Sequence, residues 1–210
     1  MSPRPFTPIR SRTYQHPPPP DAVSRIVVTG GECTGKTTLA GLLGDALGAP
    51  WVPEFARAYA AGVGRPLGAS DVEAIARGQV AAEDAAVLAL RQQPADAASP
   101  RLLVLDTDLV STTVYADHYY GATPAWVMQA ARERRADLYL LCAPDLPWES
   151  DGVRDLPAAR AEIHARFAER LRAIGATVLP VYGSKESRVA VAMAAVRAWR
   201  GAAARRAARR

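Results

Sequence analysis

The residues best suited to chemistry form a glycine-rich stretch near the N-terminus that ends in a lysine and two threonines. It fits the pattern G-x-x-x-x-G-K-[ST] of phosphate-binding loops. Its residues are Gly30, Gly31, Glu32, Cys33, Thr34, Gly35, Lys36, Thr37 and Thr38. Glycines let a backbone wrap closely around an anion, and amide groups at a helix start attract phosphate oxygens. We therefore predict that this stretch binds ATP, with Lys36 at the outer phosphates and the Thr37 hydroxyl on Mg²⁺.

The segments on either side of the stretch favour a nucleotide site over a chance glycine-rich turn. Residues 25–29 are mostly apolar and β-branched, which predicts a buried strand. Residues 38–47 place their apolar side chains on one face of a helix, and these side chains are Leu39, Leu42, Leu43 and Ala46. Strand, loop and helix in this order are the context that the motif requires.

Three carboxylates follow predicted strands and complete a candidate site for phosphoryl transfer. Asp106 ends the apolar run of residues 101–106, where an aspartate typically steers Mg²⁺ and its waters, so we predict a metal site of Thr37 and Asp106. Glu54 and Asp108 each lie just past a strand's carboxyl end, where open α/β sheets bind ligands. Either carboxylate could hold or deprotonate a hydroxyl acceptor, and the sequence leaves both open.

The loop of residues 143–155 is rich in proline and charge and carries two further candidates. Arg154 is a candidate lid arginine, because a mobile loop could bring its guanidinium onto the transferred phosphoryl group and exclude water. Trp148 could stack on a flat substrate ring.

Composition limits the class of protein. The chain has 210 residues, 49% of them hydrophobic and 22% charged, which suits one globular domain. No apolar run approaches the roughly 20 residues that span a bilayer, and the N-terminus lacks a signal peptide's apolar region, so we expect a cytoplasmic protein. The two cysteines give neither a disulfide framework nor metal-ligand spacing. The net charge of +5 resides in the two termini, which argues against a nucleic-acid partner for the body.

The alternation of apolar strands with helical segments predicts the fold class. We expect an α/β protein with a five-stranded parallel sheet and helices on both faces. A capping box of residues 70–73 should begin the third helix, and Pro180 places the fifth strand at a sheet edge. Residues 1–24 are predicted to be a disordered proline-rich arm, residues 25–199 the domain, and residues 200–210 a basic Ala/Arg tail beyond a helix that ends near Trp199.

Together these motifs resemble a known family. The phosphate loop, Glu54-x-x-Arg57-x-Tyr59, Asp106-Thr107-Asp108 and the run of residues 147–154 look like the ribosylnicotinamide kinase domain of the bifunctional bacterial NAD-biosynthesis regulator. The resemblance covers residues 26–199 and implies an adenylate-kinase-like P-loop fold. It also implies ATP, Mg²⁺ and phosphorylation of the 5′-hydroxyl of nicotinamide riboside.

The resemblance carries expectations for individual residues as well. It implies that Glu54 or Asp108 engages the ribose hydroxyls, that Arg57 and Tyr59 contribute to the substrate site, and that Trp148 lies near the nicotinamide ring. With no room before residue 26 for a nucleotidyltransferase or DNA-binding domain, we expect a stand-alone kinase.

Other functions remain open from the sequence. The acceptor could be another nucleoside, or a nucleic-acid 5′ end held by the arginine-rich C-terminus. A third possibility is an ATPase or a nucleotide-dependent switch that transfers no phosphoryl group to an acceptor. The sequence lacks the Asn-Lys-x-Asp motif with which a GTPase recognises the guanine base. The sequence does not indicate an oligomeric state.

Overall fold

A computed structural model describes residues 23–94, 101–147 and 159–208. The strands are β1 (Ser24–Thr29), β2 (Trp51–Val52), β3 (Leu102–Asp106), β4 (Leu138–Cys142) and β5 (Val178–Val181). The helices are α1 (Lys36–Leu47), α2 (Phe55–Val63), α3 (Val72–Gln92), α4 (Leu109–Tyr120), α5 (Ala125–Glu133), α6 (Arg160–Ala173) and α7 (Lys185–Ala208). A single 3₁₀ turn, Ala69–Asp71, leads into α3.

All five strands are parallel and lie in the order β2-β3-β1-β4-β5. β1 is therefore central, with Val28 opposite Asp106 of β3 and Thr29 opposite Leu141 of β4. Since parallel strands end at the same edge of a sheet, this order brings the loop after β1 beside the ends of β3 and β4. The predicted fold class is confirmed, including the edge position of β5 and its Pro180.

Two apolar layers cover the sheet. Alternate strand residues point to opposite faces, so Ile26 and Val28 pack with α1 and α7, whereas Val27 packs with α3 to α6. Every residue of β3 and β4 is buried, as expected for strands covered on both faces. The site at the strand ends is thus held by a rigid scaffold.

The ends and faces of several elements differ from the predictions. The buried face of α1 consists of Leu39, Ala40, Leu43 and Gly44 with Lys36, while Ala46 is exposed. Trp51 packs beside Gly44 on this face, where an added Cβ would lie 3.4 Å from the indole ring. The last helix does not end near Trp199, but continues through Gly201 to Ala208. Good helix formers on both sides offset the roughly 1 kcal/mol that an internal glycine costs.

The predicted capping box of residues 70–73 is also wrong. Helix α3 follows the 3₁₀ turn directly, and its N-cap residue Asp71 makes no side-chain cap. The carboxylate of Asp71 accepts instead from the Gly68 N–H at 2.8 Å, so that it ties down the preceding loop. Among the described residues, no helix is long and apolar enough to cross a membrane.

Candidate active site

The phosphate loop adopts a backbone conformation that favours glycine at two positions. Gly30 has φ +142°, and a Cβ there would lie 2.8 Å from the Cys142 carbonyl oxygen. Gly35, with φ +71°, precedes α1 as its N-cap. Inside the turn the Thr34 hydroxyl donates to the Gly31 carbonyl at 2.8 Å. The loop is thereby closed with the start of α1 directed at the space in front of it.

A cavity of about 380 Å³ lies in front of this loop. Among its lining residues are Cys33, Thr34, Gly35, Lys36, Thr37 and Thr38 of the loop and of the start of α1. Leu42, Leu146, Pro147 and Val189 add apolar surface beside them. Amide groups at one end and apolar side chains at the other suit the phosphates and the base of a nucleotide.

Two arginines that the sequence did not single out bind backbone carbonyls of the loop, and one of them, Arg188, also lines the first cavity. Arg188 of α7 is only 2% exposed and donates to the Thr34 carbonyl at 3.1 Å, the Ala143 carbonyl at 3.1 Å and the Gly183 carbonyl at 2.9 Å. It also pairs with Asp145. Arg188 thus joins three segments at the strand ends, and no local sequence signal distinguishes it from a solvated arginine on a helix.

Arg160, at the first turn of α6, makes the second link. Its guanidinium donates to the Cys33 carbonyl at 3.3 Å and to the Leu146 carbonyl at 2.8 Å. Because both arginines bind carbonyls of the loop, the loop's amide groups remain turned toward the cavity.

The carboxylate of Asp106 has the properties of a cation ligand. It is 1% exposed, and neither oxygen finds a hydrogen-bond donor of good geometry among the described residues. Burial raises its pKa, and the Thr37 hydroxyl and the Lys36 ammonium nearby oppose that rise. A buried carboxylate without a donor costs free energy unless a cation or its waters complete it. Thr37 and Asp106 therefore fit Mg²⁺, which takes few protein ligands when phosphates supply the others.

A second cavity of about 850 Å³ opens on the other side of the loop's lysine. Lys36 and Arg57 line both cavities, so the two spaces meet at the phosphate-binding end of the first. The Lys36 side chain is buried and its ammonium donates to the Gly31 carbonyl at 3.3 Å. The lysine therefore lies where the two cavities meet.

Acidic and aromatic side chains dominate the wall of the second cavity near Lys36. Glu54, immediately before α2, lines it and lies 3.8 Å from the Arg57 guanidinium. Tyr115 lines it too, and burial together with the carboxylates of Glu32 and Glu54 raises the Tyr115 pKa well above its ordinary value. Two carboxylates thus face the space, and the sequence had assigned Glu32 only to the phosphate loop.

Glu54 is held in place through its neighbour. The Phe55 N–H donates to the Gln79 side-chain oxygen at 3.1 Å, and the Gln79 amide donates in turn to Glu83 at 3.1 Å. The Phe55 ring fits against Gly78, where an added Cβ would lie 2.1 Å from it. The first turn of α2 is therefore fixed on α3, and Glu54 with it.

The structure does not bring Asp108 or Tyr59 into this wall. The Asp108 carboxylate is buried, accepting from the Val110 N–H at 2.9 Å and from the Tyr139 hydroxyl at 2.6 Å. An aspartate one residue before a helix is the N-cap pattern, and that signal is present in the sequence. Tyr59 does not line the cavity, and its hydroxyl donates to Asp71 at 3.0 Å. Of the two carboxylates that the sequence left open, Glu54 is the one in the cavity.

Trp148 and Arg154 lie outside the described residues, so that the roles predicted for them stay predictions. The adjoining Leu146 and Pro147 line the first cavity, which places the start of their loop beside the nucleotide site.

Comparison with known proteins gives a consistent set of relatives. A family model described as an AAA domain, AAA_28, matches residues 25–188. The trifunctional NAD biosynthesis/regulator protein NadR of Escherichia coli is 30% identical over 158 residues, and that of Salmonella typhimurium is 30% identical over 141 residues. These matches cover 72% and 65% of this chain but 36% and 32% of the relatives, so the chain spans about a third of their length.

Solved structures agree in fold. A crystal structure of NadR protein in complex with NR has a TM-score of 0.67 and 26% identity, covering 85% of this chain and 52% of that chain. A second, of NadR protein in complex with NAD and AMP-PNP, has a TM-score of 0.64 and 25% identity, covering 85% and 50%. Thymidylate kinase from Ehrlichia chaffeensis, at 12% identity and a TM-score of 0.56 over 82% of this chain and 98% of its own, shares the fold alone.

Proposed function

Because the chain belongs to the AAA_28 family of AAA domains, we propose that it is an ATP- and Mg²⁺-dependent kinase that phosphorylates the 5′-hydroxyl of nicotinamide riboside. The product would be nicotinamide mononucleotide, an intermediate of NAD salvage. The support comes from the two cavities and from the relatives, one of which is a NadR structure in complex with NR and another in complex with AMP-PNP. We further propose that the reaction takes place in the cytoplasm.

The observation that carries the proposal is the meeting of the two cavities at Lys36. Phosphoryl transfer requires donor and acceptor in line, with positive charge where negative charge develops. ATP in the first cavity would present its outer phosphate to Lys36, and an alcohol in the second would approach from the opposite side. An ATPase needs no second cavity, so this arrangement favours transfer to an organic acceptor.

Glu54 is the carboxylate that would receive the acceptor hydroxyl. It lines the second cavity, its side chain is only 15% exposed, and its position is fixed through Phe55 and Gln79. It would accept a hydrogen bond from the 5′-hydroxyl and take its proton as the bond to phosphorus forms. The ion pair with Arg57, 3.8 Å away, helps to hold the Glu54 carboxylate at the cavity wall.

Thr37 and Asp106 would hold Mg²⁺ through a hydroxyl and a carboxylate. When bound, the ion neutralises charge on the phosphates of ATP. The chain's own contribution is to keep both oxygens at the phosphate loop, Asp106 through the pairing of β3 with β1 and Thr37 through the start of α1.

The second cavity suits the cationic ring of nicotinamide riboside. Tyr115 and Tyr119 both line it, and their rings stack 6.1 Å apart at an angle of 17°. The face of an aromatic ring attracts a cation, and carboxylates near the ribose end add to the attraction. Trp148 and Arg154 would complete the site as ring platform and lid arginine, as the sequence predicts.

The test is ATP-dependent phosphorylation of a nucleoside panel, followed by chromatographic detection of the monophosphates. We expect the highest kcat/KM with nicotinamide riboside, and loss of nearly all turnover in Lys36→Met. Brisk turnover of a different nucleoside would overturn the proposed substrate and keep the kinase. ATP binding without phosphorylation of any acceptor would overturn the kinase itself.

A further inference from the structure

The outer wall of the acceptor cavity is a loop between α2 and α3 that carries an arginine. Gly64, Arg65, Pro66, Leu67 and Gly68 all line the cavity. Of these, Arg65 is the one charged residue, and its side chain is half exposed. A guanidinium in such a position is suited to bind an acceptor's phosphate. Its state therefore bears on which acceptors the cavity accepts.

Arg65 is not available for such a phosphate, because Asp71 engages both ends of its guanidinium. The two nitrogens donate to the two carboxylate oxygens at 2.7 and 2.8 Å, a bidentate pairing. The hydrogen bonds from Arg65 and Gly68 hold the pKa of Asp71 well below its usual range. Both groups therefore stay ionised at every ordinary pH, and the negative charge of Asp71 balances the positive charge of Arg65.

Asp71 also fixes the loop in space. Besides the two bonds from Arg65, its buried carboxylate accepts from the Gly68 N–H at 2.8 Å and from the Tyr59 hydroxyl at 3.0 Å. A single side chain at the start of α3 thereby joins both ends of the loop and a residue of α2. Without it, the wall of the cavity would lose its shape as well as its neutrality.

We propose that the Arg65–Asp71 pair sets acceptor specificity, by closing the cavity around a nucleoside and by withholding a third cation, besides Lys36 and Arg57, from the phosphate of a nucleoside monophosphate. The proposal rests on the proposed function, since it concerns the acceptor of that reaction. Nicotinamide mononucleotide would then bind poorly, so that the product leaves and is not phosphorylated again. Asp71 is a positioning residue, because it acts through Arg65 and the loop.

The test measures binding and turnover separately, with nicotinamide riboside and nicotinamide mononucleotide as the probes. Asp71→Asn keeps the shape of the side chain but removes its charge. We expect the dissociation constant of the mononucleotide to fall about fivefold, as for an added charge interaction at a partly exposed site. The KM for the riboside should rise about tenfold through the loosened wall, with the KM for ATP unchanged.

Two further variants separate specificity from folding. In the double variant Asp71→Asn/Arg65→Met, the tighter mononucleotide binding of Asp71→Asn should be lost, because the freed guanidinium is gone. If Asp71 acted only through the shape of the loop, the tighter binding would remain. Arg65→Met alone replaces a half-exposed side chain and should raise the KM for the riboside without improving mononucleotide binding. The matched control is Glu73→Gln, which breaks the exposed Glu73–Arg77 pair on α3 at 2.7 Å and should change neither probe.

The outcomes distinguish the two proposals. Unchanged binding of both probes in Asp71→Asn and in Arg65→Met overturns the specificity role, even where the wild type phosphorylates the riboside. The expected shifts in binding with no turnover by the wild type support the specificity role and overturn the kinase reaction. Tighter mononucleotide binding that persists in the double variant also overturns the role of Arg65.

Discussion

Replacing Arg188 tests whether the last helix holds the phosphate loop through the Thr34 carbonyl. Arg188→Met keeps an unbranched apolar side chain and removes the donors to the carbonyls of Thr34, Ala143 and Gly183. Each lost hydrogen bond should cost about 1 kcal/mol, and the pair with the half-exposed Asp145 about 1 kcal/mol more. Since the buried methionine returns about 1 kcal/mol of apolar burial, we expect a net loss of about 3 kcal/mol in the free energy of unfolding.

The same variant should weaken nucleotide binding, because the loop's amide groups are aimed by carbonyls that Arg188 restrains. We expect the dissociation constant of AMP-PNP to rise at least about tenfold, which corresponds to about 1.4 kcal/mol. Urea unfolding gives the first quantity and calorimetric titration the second. Arg188→Lys should recover only part of both, since an ammonium cannot reach three carbonyls with a rigid fork.

The control is Arg197→Met, an exposed arginine further along the same helix, which should leave both quantities unchanged. A loss of less than about 1 kcal/mol in Arg188→Met, with unchanged AMP-PNP binding, would refute the reasoning. The loop would then hold its shape through its own glycines and through Arg160.

Three other changes test the metal site, the position of α2 and a buried carboxyl. Asp106→Asn should raise the Mg²⁺ concentration for half-maximal turnover at least about tenfold, and an unchanged titration would exclude it as a ligand. Gly78→Ala should displace the Phe55 ring, lower the free energy of unfolding by about 2 kcal/mol and raise the KM for the acceptor. Its control is Gly62→Ala, which should not destabilise the protein because an added Cβ there meets nothing within 4 Å. Burial raises the pKa of Glu83 to about 7. The free energy of unfolding of the wild type should therefore fall as the pH rises from about 4.5 to 7, by at most about 1.4 kcal/mol per pH unit. Glu83→Gln should flatten this dependence on pH. Urea unfolding of the wild type and of Glu83→Gln across this pH range would show the same change of stability with pH if Glu83 had an ordinary pKa.

Local patterns were sufficient to predict much of the fold. The glycine spacing of residues 30–35 and the apolar runs of β1, β3 and β4 follow rules that operate within a few residues. The apolar run of residues 101–106, predicted as a strand that ends in Asp106, is β3, Leu102–Asp106. The parallel sheet followed from the alternation of strands and helices. The order β2-β3-β1-β4-β5 was not predicted beyond the edge position of β5.

The rest depended on contacts between distant parts of the chain. Asp108 precedes a helix and follows a strand, so that an N-cap and a ligand group look alike in sequence. The Tyr139 hydroxyl, 31 residues away, draws it into the core. Likewise, nothing near Asp71 indicates that its carboxylate binds Arg65 and Tyr59 rather than capping α3. Packing between distant segments decides where such side chains lie, and a local sequence pattern carries no information about that packing.

The link between Thr34 and Arg188 spans 154 residues, and it has a consequence for biosynthesis. On the ribosome, the phosphate loop emerges long before the helix that restrains it. A partly made chain would therefore hold ATP weakly until α7 has left the exit tunnel and docked beside α1. Tight ATP binding would then appear only after α7 has been synthesised. A nascent chain arrested before Lys185 should therefore be retained poorly on an ATP-affinity resin.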